Sequence, residues 1–248
     1  MKRLLLVALA VAASGCITER RMERAHAQAD LGIAYLQEHN PEGAITALRE
    51  AVRLDPRNWH ARNALAMAYS AKGQPDLAEK EFKAALAVDG KQGELLLNYG
   101  AFLVTVGRPK EAIPVLEKAL EDLEYRNPAL VMSNLSRAHL DAGEPEKALA
   151  RAEEALRRAP KLCPARFHAG LAHEALGNTD AALRDYASLA EECPSESLGG
   201  WLRTGCILAN LGDAPGASAA LRHVTEGAAD SPMATEARAC LAKAGPNG

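Results

Sequence analysis

Five cysteines and seven histidines hold most of the chemical capacity of this 248-residue chain. Thiolates and imidazoles bind zinc or perform nucleophilic catalysis when their spacing gathers them. Here it does not, since no CxxC, HExxH, GxSxG or phosphate-cradling glycine loop occurs. His26, His39, His60, His139, His168, His173 and His223 are scattered, and even His168 and His173, five apart, fall on different faces of a helix. His139 and His173 occupy places that other parts of the chain give to Tyr35 and Tyr69, so packing explains them first. Carboxylates mostly stand beside bases, as Glu79 beside Lys83 and Glu117 and Glu121 about Lys118, the pattern of a solvated helix face. The sequence therefore predicts no enzyme, no cofactor, no metal and no small-molecule substrate. Cysteine is left with covalent roles, at Cys16 near the start and at Cys163, Cys193, Cys206 and Cys240 in the last third.

The first of these roles is set by its surroundings. MKRLLLVALAVAASGC has a basic start (Lys2, Arg3), ten apolar residues and a small-residue approach to Cys16. Ten apolar residues are too few for a bilayer span, which needs about 20, so residues 1–15 read as a secretory signal. Ala13-Ser14-Gly15-Cys16 resembles a bacterial lipobox, although Ala13 stands where Leu is preferred. That resemblance implies cleavage before Cys16, diacylglycerol on its thiol and acylation of its new amine. Ile17, in place of Asp, resembles the signal for onward export to the outer membrane. Residues 17–24 (ITERRMER) then read as a charged tether of at most about 28 Å. Its arginines Arg20, Arg21 and Arg24 are candidates for lipid head groups, or simply solvated.

The net charge is −3, and removal of the signal leaves 27 basic against 32 acidic side chains. No basic footprint for nucleic acid follows from that balance. Only 4% of residues are aromatic, and the abundance of Ala, Leu, Glu, Lys and Arg suits thin, close-packed helices.

The elements that position everything else come from one recurring phrase, a Gly, a turn residue, Pro, and Ala three residues after it. It reads KGQPDLAEKEF at 72–82, GRPKEAIPVL at 107–116 and GEPEKALARA at 143–152, with weaker copies at 39–48, 177–186 and 212–221. The alanines fall at Ala44, Ala78, Ala112, Ala148, Ala182 and Ala217, in steps of 34, 34, 36, 34 and 35 residues. Gly73, Gly107, Gly143, Gly177 and Gly212 share the place where a first helix ends. Pro41, Pro75, Pro109 and Pro145 share the start of the second, with Pro215 one place later. A period near 34 with both signals in phase resembles the tetratricopeptide repeat. The resemblance implies an all-α solenoid of six helix-turn-helix units in a right-handed superhelix. The units run 25–58, 59–92, 93–128, 129–162, 163–197 and 198–231, with a capping helix at 232–244 and a frayed 245–248. The third unit carries two extra residues near 125–127, which should lengthen its exit turn, and Pro114 falls early in its second helix.

Repeat geometry separates the cysteine pairings. Cys163 opens the first helix of the fifth unit and Cys193 closes the second, so antiparallel packing brings them together. Cys206 and Cys240 stand 34 residues apart at equivalent places on successive first helices, although neighbouring axes usually lie about 8–10 Å apart. Cys163–Cys193 and Cys206–Cys240 are the favoured disulfides, against four buried thiols serving as small apolar residues.

The fold also implies a surface. First helices line a concave groove, into which their second, fifth, ninth and twelfth positions point. In the first three units these include Ile33, Leu36, His60, Asn63, Met67, Leu97, Ala101 and Val104, an apolar floor with a polar rim. Such a floor suits an amphipathic helix or extended segment of a partner. The later units are more mixed, with Ser133, Arg137, Leu140, Phe167, Leu171, Glu174, Leu202 and Cys206. Ala29 and Ile33 replace the Lys and Asn with which chaperone-binding repeats clamp a terminal carboxylate, which disfavours that role.

A lipobox, a short tether and six such repeats together resemble the type IV pilus pilotin lipoproteins, the PilF/PilW group. The resemblance implies a monomeric lipoprotein held by acylated Cys16 in the outer membrane, facing the periplasm. It would bind the pilus secretin subunit and promote its assembly into a multimeric pore, hence pilus-dependent motility. Another envelope machine, for outer-membrane protein insertion or peptidoglycan synthesis, is the alternative client.

Overall fold

The computed structural model describes the backbone of residues 2–243 and the side chains of residues 19–243. The described residues form thirteen α-helices and one short 3-10 turn, with no strand. In order these are α1 Lys2–Gln37, α2 Pro41–Leu54, α3 Trp59–Ala71, α4 Pro75–Val88, α5 Gly93–Thr105, α6 Pro109–Ala119 and α7 Pro128–Asp141. They continue with α8 Pro145–Arg158, α9 Cys163–Ala175, α10 Thr179–Glu192, a 3-10 turn at Pro194–Glu196, α11 Leu198–Asn210, α12 Ala214–Gly227 and α13 Pro232–Lys243. The architecture is an all-α solenoid of helical pairs. The chain forms two compact units, one holding residues up to Val106 with Lys118–Tyr125, the other Gly107–Glu117 with the chain from Arg126 onward. The last residue of the expected cap and the expected frayed tail lie outside the described residues.

Local chemistry explains where each helix stops. The five glycines that end first helices have φ between 73° and 81°, a backbone region that L side chains adopt at a cost. At Gly73 the reversed turn lets Gln74 N donate to Tyr69 O (2.9 Å), and at Gly143 Glu144 N donates to His139 O (2.8 Å). The first pair has no glycine there, and His39 adopts φ 55° instead. Second helices start on Pro at α2, α4, α6 and α8, and Asn40 adds a side-chain cap by accepting from Gly43 N at 2.9 Å.

Small residues then set how closely paired helices cross. All six periodic alanines are fully buried. A methyl added at Gly32 would lie 2.4 Å from Leu48, at Gly170 2.4 Å from the Tyr186 ring and at Gly205 2.3 Å from Leu221. Ser136 holds the same place in α7, and its hydroxyl donates across the crossing to Ala148 O (2.8 Å). In the first unit Leu48 and Leu65 are central, and Phe82, Tyr99 and Phe102 cluster with Phe82 about 5.4 Å from each partner's ring centre. In the second unit Tyr186 meets Phe167, and Leu221 with Val224 packs beneath α13.

Two features depart from the sequence reading. Residues 17–24, expected as a tether, are an uninterrupted part of α1. Glu, Arg and Met are good helix formers, and Arg21 donates to Leu54 O (2.7 Å), capping the C-terminal end of α2. A helical segment of eight residues spans only about 12 Å. Arg24 faces Glu50 at 3.7 Å. The connection after α6 is longer than the two extra residues imply. It runs over residues 120–127, against four residues at 55–58, 89–92 and 159–162, because α6 also ends early.

The structure joins Cys163 to Cys193 and Cys206 to Cys240, with Cα–Cα distances of 6.0 and 5.1 Å. The second distance fits an ordinary axis spacing of about 8–10 Å, because Cα atoms on facing sides each lie about 2.3 Å in from their helix axis.

Candidate functional site

In the first unit, α1, α3 and α5 present their ninth repeat positions in series as Ile33, Met67 and Ala101. Ile33 is 37% exposed and Met67 41%, unusual for large apolar side chains, and Ala101 is half-buried. Leu36 and Val104, one helical turn on, are half-buried as well. His60 is exposed and stacks on Trp59, ring centres 3.5 Å apart, at the polar rim. These are the residues of the expected groove that the structure leaves accessible.

Two expected floor residues do not belong to it. Asn63 is 3% exposed and accepts from Asn98 Nδ2 (3.4 Å), a polar tie between α3 and α5. Leu97 is 8% exposed and part of the core. The fifth position of a first helix faces its neighbour as much as the groove, so stacking covers it. In the second unit the equivalent fifth position, Ser133, is buried and meets His168 Nδ1 at 3.2 Å. Burial, aided by the nearby Arg137 charge, lowers the His168 pKa to about 4, so the ring is neutral near pH 7. Nothing in the spacing of single histidines points to this role; the signal is that Asn63–Asn98 and Ser133–His168 are each 35 residues apart.

Other second-unit positions serve structure. Arg137 pairs with Asp141 one turn away at 2.9 Å, Cys206 is in its disulfide and Leu202 is buried. Glu174 accepts from Tyr186 Oη (3.0 Å) and pairs with Arg203, and burial raises the Tyr186 pKa. His139 meets Glu144 at 2.7 Å, and this contact leads the causes that lower the Glu144 pKa. Arg62 and Arg166 act as equivalent clamps. Arg62 bonds Pro56 O and Glu81, and Arg166 bonds Pro160 O and lies 3.8 Å from Asp185. Among the described residues no group of three or more His, Cys, Asp or Glu could hold a metal ion, and no helix is long and apolar enough to cross a membrane.

Antiparallel helical pairs closed on small residues, with Ile33 and Met67 among the large apolar side chains left exposed, define a helical-repeat scaffold. Tetratricopeptide-repeat family models match residues 29–87, 91–161 and 134–197. The chain belongs to the tetratricopeptide-repeat family. It is 35% identical over 163 residues to the type IV pilus assembly protein PilF of Pseudomonas aeruginosa, spanning 62% of this chain and 65% of that relative. A solved structure of Pseudomonas aeruginosa PilF superposes with a TM-score of 0.74 at 27% identity, covering 88% of this chain and 98% of that one. PilW, a type IV pilus biogenesis factor, superposes with a TM-score of 0.77 at 22% identity over 85% and 96% of the two chains, a likeness of fold.

Proposed function

We propose that this chain is a type IV pilus biogenesis factor. It acts as an outer-membrane lipoprotein that grips the secretin subunit through the first-unit groove and promotes its multimerisation. The observation that carries the reading is the exposed Ile33–Met67 strip, set in a chain 35% identical to PilF. An apolar strip on parallel helices suits the apolar face of an amphipathic segment. Acyl chains on Cys16 would confine that strip to the membrane where secretin subunits meet, raising their effective concentration without any new contact. The groove is an adaptor surface and performs no reaction.

The test is the detergent-resistant secretin multimer in a deletion strain complemented with variants. Met67→Glu puts a charge on a half-exposed position and should alter stability by less than about 1 kcal/mol. It should abolish multimers while the helical circular-dichroism signal persists. Wild-type multimer levels in Met67→Glu would reject the groove, and multimers that persist in the deletion strain would reject the function. Leu97→Glu is unsuitable as a probe, because that side chain is buried.

A further inference from the structure

No helical pair precedes α1 among the described residues, yet α1 keeps the face that such a pair would cover. Ala27, Leu31 and Ala34 stand 34 residues before Ala61, Leu65 and Ala68, with identical residue types. In α3 the three are buried, at 0%, 2% and 0% exposure, against Ala44, Leu48 and Ala51 of the preceding pair. In α1 all three are exposed, Leu31 at 42%. This face is separate from the groove, since Leu31 and Ile33 point about 160° apart around a helix of 3.6 residues per turn.

The residues along that face are ordered for one occupant. At alternating spacings of four and three, a seam of α1 reads Arg20, Arg24, Ala27, Leu31, Ala34, Glu38, and Glu38 N still donates to Ala34 O (3.0 Å) in helical register. Reversed about Ala29, the seam is its own complement: Arg20 meets Glu38, Arg24 meets Ala34, and Ala27 meets Leu31. Small residues opposite the leucine let two helix axes come close. Charges of both signs are nearly balanced on this edge, so it favours neither an acidic nor a basic partner; their order is what selects. Glu50 of α2 is engaged by Arg53 at 2.7 Å and by Arg24 at 3.7 Å, which leaves Arg20 and Glu38, both exposed, for pairing between chains. On the flank Glu23 would meet Gln37, and Asp30 would meet its own copy at the two-fold axis, a local repulsion.

From this pattern we propose that the first-repeat edge is a self-association surface, on which two copies of this chain pack α1 against α1, antiparallel, about a two-fold axis level with Ala29. Such a contact uses the same patch on both copies and closes at two, giving a dimer and no filament. It replaces the monomer expected from the family resemblance, and it stands independently of the secretin reading.

The test is sedimentation equilibrium of the purified full chain in mild detergent, over a range of protein concentrations. Wild type should show a reversible monomer–dimer equilibrium. Leu31→Glu should weaken it at least about tenfold, since each dimer loses two leucine contacts and buries two carboxylates. Arg20→Glu and Glu38→Arg should each weaken it at low salt, and Arg20→Glu/Glu38→Arg should restore the wild-type constant. Both charge positions are exposed, so these variants keep the test decisive even where Leu31→Glu misfolds. Asp30→Asn removes the repulsion at the axis and should tighten association. A wild-type chain that is monomeric at every concentration would overturn the proposal. So would dimers unaffected by Leu31→Glu, a double charge reversal that fails to rescue, or weaker association of Asp30→Asn. A monomeric wild type whose secretin multimers are lost in Leu31→Glu would assign this edge to the secretin and overturn self-association.

Discussion

His168 offers the sharpest check on how the repeats are stacked. Its ring is buried against Ser133, and burial together with Arg137 lowers its pKa from 6.5 to about 4, while the Ser133 contact and Asp141 oppose the shift. The unfolded chain therefore binds a proton between pH 6.5 and 4 that the folded chain refuses. Stability from this group is fully present above pH 6.5 and is lost as pH falls toward 4, where the accumulated difference is about 3 kcal/mol. The perturbation is His168→Asn, which keeps a polar group near Ser133 but cannot titrate. Urea unfolding followed by far-ultraviolet circular dichroism, with disulfides intact, is measured at pH 7, 5.5 and 4 for both chains. Ordinary carboxylates titrate alike in each and cancel in the difference. The wild type should lose about 3 kcal/mol more than the variant between pH 7 and pH 4. Parallel pH profiles, or a His168 imidazole, assigned by its absence in His168→Asn, that titrates near 6.5 by nuclear magnetic resonance, would refute the argument.

Gly170→Ala sets a methyl 2.4 Å from the Tyr186 ring and should lower stability by about 1–3 kcal/mol by urea midpoint. Gly143→Ala has open space but a φ of 77°, so its loss should be near 1 kcal/mol. A larger loss at Gly143 than at Gly170 would contradict the close crossing. Cys240→Ser opens a closure of 34 residues and should cost about 3–4 kcal/mol, with a lower thermal midpoint only under non-reducing conditions. An equal midpoint would mean the pair is not bonded in solution.

The fold was readable because its determinants are single residues with local reasons. A glycine at φ near 75°, a proline at the first helical position and an alanine at a helix crossing each act within a few ångströms of their own backbone. The site was readable only in part. Periodicity names the face on which Asn63 and Leu97 lie, but their burial depends on neighbouring helices, which no single repeat contains. Residues 17–24 looked like a charged linker because the acceptor for Arg21, the Leu54 carbonyl, lies 33 positions away. The bond in which the Asp122 carboxylate accepts from Gly93 N, across 29 positions, was hidden for the same reason.

Both covalent ties lie between Cys163 and Cys240, one closing a helical pair on itself and the other riveting the last pair to the final helix. An untied row of such pairs frays from either end. With both ties in the tail, thermal opening is expected to begin at the head, where Ile33 and Met67 lie. If the head grips a client as proposed, release would need only the head to loosen, and the riveted tail would remain as the template on which the row closes again.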